Sequence, residues 1–500
     1  MAMDRRTFLQ TAGAGTGLGL VGTGLSLSGA AALAAHPGLV QPSYGDIEGY
    51  TLLSYSDMAF NDGGGSTISN DWDQTFDLKA SPDGRYAYTS HQQGFSILDV
   101  HNPNRPRVIS RVRNARNTTV NRHIVQSQYI EVSGDLLVVN QEGQTNQPTP
   151  YVGGIRLFDV SDPTAPRETG FFETDRQRSE GEGSTFRLRG GRGVHGMWIH
   201  HDPFGRGRFA FLCTSSPGYY GNILVIVDVN DPANPREVGR WWYPGQGPGE
   251  AHLRVPNQSD TSQLLPKFWV FTHEPTTFGD RCYISYRDLG VVILDISDLT
   301  RPRKVSEIGW TSQLLRKEGN THTVGIVVPK HGGRAQTIVS TDEIGGCPYG
   351  WLHIIDVSDE AHPRLISEFK LPLNEVANCT TPDRPGQRFS IHDVDRLIRG
   401  DIVHGAWEEA GFWAIDISDP VRPKSVGHFI PPVRSDSPAN RRSGHADDVF
   451  VLDNGLIFGS SSDRGAGGLW IMRHTPGTKA TVTWNVEEND VLISRRRGGS

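Results

Sequence analysis

Six segments of the chain repeat one pattern of apolar and polar positions. Each opens with a short run of mainly apolar, often β-branched residues that ends at an Asp, and a Pro follows seven residues after that Asp. The segments are FSILDVHNPNRPRVIS, IRLFDVSDPTAPRETG, LVIVDVNDPANPREVG, VVILDISDLTRPRKVS, LHIIDVSDEAHPRLIS and FWAIDISDPVRPKSVG. A weaker seventh copy, GLWIMRHTPG, begins at Gly468. A repeat of this length sets the fold before any local feature does.

Each copy predicts two β-strands joined by a tight turn. The apolar run is typical of a strand buried on both faces, and the run after the Pro is typical of a half-buried outer strand. Asp, Asn and Pro favour the turn between them, because they bond to the nearby backbone or fix φ. Successive copies lie 60 to 69 residues apart, which leaves room for two further strands in each unit. We therefore predict an all-β fold, a seven-bladed β-propeller of four-stranded blades.

The repeat resembles that of the LVIVD-repeat family, whose members are bacterial and archaeal secreted or surface propellers. The resemblance extends over roughly residues 45 to 475. It implies the propeller fold and a location outside the cytoplasm. It does not specify chemistry, because one common fold carries many unrelated functions.

The first 35 residues have the features of an export signal. The segment DRRTFLQ carries paired Arg5 and Arg6, and a Gly/Ala-rich apolar run leads to a small-residue cleavage site at 32–34. This resembles a twin-arginine signal peptide. The resemblance implies that the protein folds in a bacterial cytoplasm, often with a cofactor already bound, and works in the periplasm or the extracellular space.

We divide the chain into four segments. These are a signal peptide at 1–35, a linker with a strand at 36–70, the propeller at 71–486 and a C-terminal tail at 487–500. The stretch from Glu48 to Met58 resembles the outer strand of a repeat and would complete the last blade. The stretch from Ala480 to Val486 competes for that position, and the sequence leaves the choice open.

Composition argues against several classes of function. The net charge is −7 and the mature part has no long basic run, which argues against a nucleic-acid partner. Four cysteines form no C-x-x-C pair, so no thiolate zinc site is predicted, whereas one disulfide stays open. No segment beyond the signal is apolar enough to span a membrane.

A histidine precedes the repeat in six of the seven units. These residues are His123, His195, His252, His322, His392 and His445. The innermost strand of each propeller blade lines the central channel, so equivalent residues near its start form a ring at one mouth. Neutral imidazole is a common ligand of transition metals, and the ring therefore predicts a metal site. In the other interpretation, each histidine is a repeat residue that caps backbone groups at the start of a strand.

Polar side chains also lie in the loops between the second and third strands, which open at the same mouth. Those to which we assign catalytic roles are Glu142, Arg287, Glu343 and Glu408. Such groups act as general acids or bases, or they orient metal-bound imidazoles. His273, in the segment FTHEPTTFGD, is placed in a loop outside the ring.

The predicted cofactor is a divalent transition metal, with iron or copper favoured ahead of zinc or manganese. The lack of Cys and Met beside the histidines disfavours a Cu(I) site. The favoured function is a secreted metal-dependent enzyme, an oxidoreductase that acts on a small organic substrate; lyase or hydrolase chemistry fits the same site. The alternative is a non-enzymatic cell-surface or envelope binding propeller with a protein partner. Metal storage or sensing without turnover is a third hypothesis.

Overall fold

The protein is built from β-strands, which confirms the predicted fold class. The computed structural model describes residues 42–58, 75–114, 125–143, 153–175, 193–253, 270–310, 321–344, 346, 348–375, 388–433, 445–462, 467–485 and 490–495. These residues belong to one compact unit, and within them the helical elements are two short 3-10 turns at Ala251–Leu253 and Pro372–Asn374. No helix in these ranges is long and apolar enough to cross a membrane. The predicted signal peptide and His123 lie outside the described residues.

Across the described ranges the strands form seven four-stranded units, here called blades 1 to 7. In blades 1 to 6 the strands follow one another in chain order from the channel outwards. Blade 1 consists of Thr75–Ala80, Tyr86–His91, Gly94–Asp99 and Arg107–Arg113. Blade 2 consists of Val125–Gln126 with Ile130–Ser133, then Leu136–Gly143, Gly153–Asp159 and Arg167–Asp175. Blade 3 consists of Val194–His201, Arg208–Ser215, Asn222–Asp228 and Arg236–Trp241.

The next three blades repeat this order. Blade 4 consists of Glu274–Phe278, Arg281–Ser285, Val291–Asp295 and Arg303–Ile308. Blade 5 consists of Thr321–Val327, Thr337–Asp342, Leu352–Asp356 and Arg364–Phe369. Blade 6 consists of Asp393–Val394, Ile402–Ala406, Phe412–Asp416 and Lys424–Phe429. Between its first two strands, Leu397–Ile398 pairs in parallel with the inner strand of blade 5.

Blade 7 takes strands from both ends of the described chain. Its strands are Ala446–Val451, Leu456–Ser461, the first part of Gly468–Asn485, and Asp46–Ser56. Asp46–Ser56 pairs with the third strand from Ser56↔Leu469 to Asp46↔Thr481. The far part of Gly468–Asn485, from Ala480 onwards, also pairs with Asp490–Arg495. The N-terminal strand therefore closes the ring, which decides the choice that the sequence left open.

The inner strands form the wall of a closed channel. Each contacts the inner strand of the next blade, and that of blade 7 contacts that of blade 1. Between neighbouring blades the apolar faces of the sheets pack into clusters of almost fully buried side chains. Burial of one such side chain contributes about 1.5–3 kcal/mol. This packing holds the starts of the inner strands in a fixed ring.

The repeated Asp forms the turn after the third strand. In blade 2, one carboxylate oxygen of Asp159 accepts the backbone N–H of Ser161 at 3.0 Å, and the other pairs with Arg167 at 2.9 Å. The same two contacts recur in the five other copies. The ion pairs are exposed and contribute little, so the bond from Asp to the backbone explains why the Asp is repeated.

Candidate metal centre at one mouth of the channel

Four histidines hold equivalent positions at the start of the inner strands of four consecutive blades. They are His195, His273, His322 and His392, on blades 3, 4, 5 and 6, and are here called the histidine arc. In each blade the residue two places later pairs with the equivalent point of the second strand. These pairs are Met197↔Leu212, Pro275↔Ile284, Val324↔Ser340 and Val394↔Gly405. Neighbouring ring centroids along the arc lie 4.4, 4.0 and 4.0 Å apart.

Two rings of the arc direct Nδ1 at backbone carbonyl oxygens. Nδ1 of His273 lies 3.2 Å from the carbonyl oxygen of His322, and Nδ1 of His392 lies 2.9 Å from that of Asp447. A carbonyl oxygen only accepts hydrogen bonds, so each Nδ1 carries the proton. In the neutral ring, Nε2 then keeps its lone pair.

The other two rings are oriented by side chains. Nδ1 of His195 lies 2.9 Å from Oε2 of Glu142, a carboxylate that also only accepts. Nδ1 of His322 lies 3.1 Å from the hydroxyl of Thr323. That hydroxyl contacts carboxylate oxygens of Glu274 and Asp393, which only accept, so its own proton goes to one of them and it accepts from the ring. All four rings therefore present Nε2 as the available ligand atom, which is the way outer partners orient metal-binding histidines.

Nε2 of His195 and Nε2 of His273 lie only 2.6 Å apart. With both protons on Nδ1, two lone pairs face each other, and either a shared proton or a metal ion that both atoms contact makes this separation favourable. The approach depends on Gly196, because a Cβ at that residue would stand 2.0 Å from the carbonyl oxygen of His273. The donor set thus fits a transition metal, for which imidazole nitrogen is a preferred ligand.

Carboxylates on the Nδ1 side complete the surroundings of the arc. Donor atoms of His273, Glu274 and His322 all lie within 4.8 Å of one another, as do those of His322, His392 and Asp393. Both carboxylates approach Nδ1 atoms: Glu274 lies 3.6 Å from that of His322, and Asp393 lies 3.0 Å from that of His392. They are therefore suited to orient the rings and to balance the charge of a bound cation.

The electrostatic field varies along the arc. Burial lowers the pKa of His273 and of His322, so these rings stay neutral near pH 7. Burial also opposes protonation of His392, but Asp447 and Asp393 outweigh it and raise the pKa of that ring well above its usual value. The blade 6 end of the arc therefore attracts positive charge.

The four residues predicted to be catalytic all lie beside the arc or its neighbour His445. Glu142 bonds to the first ring of the arc, and Oε2 of Glu343 lies 3.6 Å from Nε2 of His322. Arg287 Nη1 lies 3.2 Å from Oε2 of Glu343. Oε1 of Glu408 lies 3.8 Å from Nε2 of His445. The loops between strands two and three thus open at this mouth, as predicted, while the catalytic roles stay predictions.

Arg388 joins two of these carboxylates and was not foreseen. Its guanidinium lies 2.6 Å from Glu343 and 2.9 Å from Glu408. Arg287 and Glu408 have φ values of +44° and +37°, in the left-handed region that non-glycine residues rarely adopt. Each pairs with the inner strand of the next blade, at Thr321 and Ala446. Such backbone strain is found most often at functional sites.

A buried ionic network joins inner-strand residues beside the arc. Arg396 Nη2 lies 2.8 Å from Oε2 of Glu274, whose other oxygen accepts the hydroxyl of Tyr129 at 2.5 Å. Lys79 Nζ lies 2.5 Å from Asp77 and 3.8 Å from Glu131. These groups belong to different blades, so the network ties the inner strands together beside the site.

The placement predicted for His252 is wrong. It lies in the exposed turn Ala251–Leu253, and His273 takes the position on blade 4 that was expected for it. The sequence carried a signal for this: His273 precedes Val291 by 18 residues, whereas His252 precedes it by 39. Two short strands and a turn need only the shorter spacing.

His445 lies near the arc but is displaced from its register. The equivalent position on blade 7 belongs to Asp447, since Val449, two residues later, pairs with Gly459. His445 therefore precedes the position of the arc by two residues. It is buried, and burial lowers its pKa well below the usual value. Among the described histidines, it adjoins the arc rather than extends it.

Comparisons with known proteins support the fold and the repeat. The LVIVD repeat model matches residues 77–114, 218–242, 278–308 and 350–370. No curated protein matches the sequence. The WD40 repeats of RRP9 are similar in structure, with a TM-score of 0.50, 9% identity, and coverage of 87% of this chain and 99% of that chain. The β-propeller domain of Myceliophteria thermophila Cps50 (Swd1) has a TM-score of 0.45 and 11% identity, and 80% of this chain and 97% of that chain are covered. At 9% identity, the likeness to RRP9 shows the fold alone.

Proposed function

The chain is an LVIVD-repeat β-propeller, and we propose that its histidine arc binds one divalent transition-metal ion for an oxidoreductase reaction on a small organic substrate. The observation that carries the proposal is the 2.6 Å separation of Nε2 in His195 and His273, both of which have their protons on Nδ1. Two such lone pairs repel each other unless a shared proton or a metal ion that both atoms contact offsets the repulsion.

His322 and His392 supply the remaining nitrogen donors. A metal-bound imidazole is a neutral ligand, and four such nitrogens without a thiolate suit iron or copper first, and zinc or manganese next. They do not reduce the charge of the ion, so a bound metal keeps its full power to exchange electrons or to polarise a substrate. Residues of the chain itself must then manage protons and position the substrate.

Glu408 is suited to move a proton at this mouth. Burial raises its pKa to about 7, although Arg388 opposes the shift. A carboxyl that titrates near neutral pH serves as a general acid or base under physiological conditions. Arg388 is one-third exposed and links Glu408 to Glu343, so it can hold a polar group of the substrate between the rim and the arc. Export by the twin-arginine route is part of the same proposal, because that route carries folded, loaded proteins.

Metal analysis of the exported protein is the first test. The full chain is purified without chelator or affinity metal, and its metal content is measured by inductively coupled plasma mass spectrometry. We expect about one equivalent of metal in the wild type and a severe loss in His322→Ala and in His392→Ala. His252→Ala is the matched control, since this exposed histidine lies outside the arc, and it should retain the metal.

The outcomes separate the three functional hypotheses. A folded, metal-free wild-type protein would refute the metal site and favour the binding propeller. Metal without turnover would favour storage or sensing. Oxidoreductase function predicts dioxygen uptake by the loaded protein with at least one of a panel of phenols, thiols, alcohols and aldehydes, and none with His322→Ala.

A further inference from the structure

At one position, the opposed residues of the second and third strands are both apolar or aromatic in six blades, and blade 6 departs from this pattern. In every other blade the second and third strands pair a bulky apolar or aromatic residue with a buried Ile or Leu. These pairs are Tyr88↔Ile97, Val138↔Leu157, Phe211↔Ile226, Tyr283↔Ile293, Val339↔Ile354 and Phe458↔Ile471. In blade 6 the pair is His404↔Ala414. Positions where a repeat abandons its own packing rule are frequently functional.

An acidic residue, Asp395, lies beside His404 in the same sheet. Asp395 N–H bonds to the carbonyl oxygen of His404, and the ladder Asp393↔Ala406, Val394↔Gly405 places Asp395 opposite His404. Directly opposed residues project from the same face of a sheet with Cβ atoms about 4.5–5.5 Å apart. A carboxyl and an imidazole therefore stand side by side on the face that blade 6 turns towards blade 7, and each is 6% exposed.

Tyr50 of blade 7 fixes the state of this histidine. Its hydroxyl lies 2.7 Å from Nδ1 of His404, and Ala414 leaves room for its ring in the same buried cluster. Burial raises the pKa of Tyr50 and lowers that of His404 to about 3. The phenol therefore stays protonated. Nδ1 of His404 is its hydrogen-bond partner among the described residues, so the phenol proton is donated to Nδ1, and Nε2–H of His404 is the donor that remains.

Asp395 and His404 line a cavity of about 320 Å³ between blades 6 and 7. Apolar wall is supplied by Ile402, Val451 and Leu452. This volume is at the lower end of the range for small-molecule sites. The cavity is separate from the histidine arc in its lining residues.

We propose that this cavity binds a small organic ammonium ion that also carries a hydroxyl or ether oxygen. The ammonium binds the carboxylate of Asp395, the oxygen accepts Nε2–H of His404, and the carbon chain lies against the apolar wall. Burial raises the pKa of Asp395 to about 7, and Arg399 and Lys79 offset this shift only in part, so the balance of charge around the carboxylate is incomplete. A bound ammonium would supply that balance. A metal ion is not favoured, because Nε2 of His404 carries a proton.

The test uses isothermal titration of the full chain with 4-amino-1-butanol at pH 8.5. We expect saturable binding of this probe and none of 1-butanol, which lacks the ammonium, or of n-butyrate, which reverses the charge. Asp395→Asn should weaken binding at least about tenfold, as expected for the loss of a charged hydrogen bond. Equal binding of n-butyrate, or unchanged binding in Asp395→Asn, would overturn the proposal.

Two further variants distinguish the buried acid from the rim. Asp453 is 77% exposed at the cavity edge, where it pairs with Arg399, and Asp453→Asn should keep the affinity within about threefold. A larger loss there than in Asp395→Asn would place the ligand at the rim and contradict the proposal. Val451→Phe narrows the cavity and leaves Asp395 in place, so it tests the site even when Asp395→Asn does not fold. Undiminished binding in Val451→Phe refutes the site.

Discussion

Replacing Lys79 by Met should strongly destabilise the ring. Lys79 is buried in blade 1, and its Nζ lies 2.5 Å from Asp77 of the same blade, 3.8 Å from Glu131 of blade 2 and 3.9 Å from Asp448 of blade 7. Removal of one partner from a buried ionic group costs about 3–5 kcal/mol, because the remaining charges lose their compensation. Met keeps most of the apolar part of the Lys79 side chain, so the loss of stability measures the contribution of the charge.

The loss should depend on pH in a defined direction. Burial raises the pKa of Glu131 to about 7 and raises that of Asp448, and Lys79 opposes both shifts. A carboxyl whose pKa is higher in the folded state contributes stability below its unfolded pKa, and this contribution is lost as pH rises through the folded pKa. Without Lys79 the folded-state pKa values of both carboxyls rise further, and each pKa unit corresponds to about 1.4 kcal/mol. The variant should therefore be closest to wild type at pH 6 and weakest at pH 8.5.

Urea unfolding followed by tryptophan fluorescence at pH 6 and pH 8.5 measures this difference. The control is Arg107→Met in the same blade, which breaks a 3.0 Å pair with Asp99 on a side chain that is 74% exposed. That change should cost at most about 1 kcal/mol. The reasoning fails if Lys79→Met costs no more than Arg107→Met, or if its cost is the same at both pH values.

Three further outcomes are expected. Gly196→Ala should separate the first two rings of the arc and lower metal content, measured against a circular-dichroism spectrum that stays native, because a Cβ there meets a backbone carbonyl at 2.0 Å. In blade 5, burial opposes protonation of His353, but Asp342 and Glu368 outweigh burial and raise the pKa of this ring. The wild-type protein should therefore lose stability to urea as the pH rises above 6.5, and the His353→Gln variant should lose less. Cys213 and Cys282 are free and buried, so mass spectrometry of their peptides should show alkylation only after unfolding.

The sequence predicts the strands that carry the site better than it predicts which side chains belong to the site. Register places the histidines of blades 3, 5 and 6 where the repeat frame put them. His273 was missed because the stretch before blade 4 contains two histidines, and only strand pairing shows which one starts the inner strand. Arg388 was missed because it lies in the connection before blade 6, outside the repeated sequence pattern.

The sequence by itself determined the architecture, because its period, its buried apolar runs and its turn-forming Asp are local properties that each copy carries in full. It also determined that polar, metal-binding residue types gather at one mouth. The tertiary structure decided which of them meet. Nδ1 of His273 is held by a carbonyl of blade 5, and that of His392 by a carbonyl of blade 7. Asp46–Ser56 closes the ring through pairing with residues more than 400 positions away. These contacts join strands of different blades, and no local pattern encodes which neighbour a closed ring will supply.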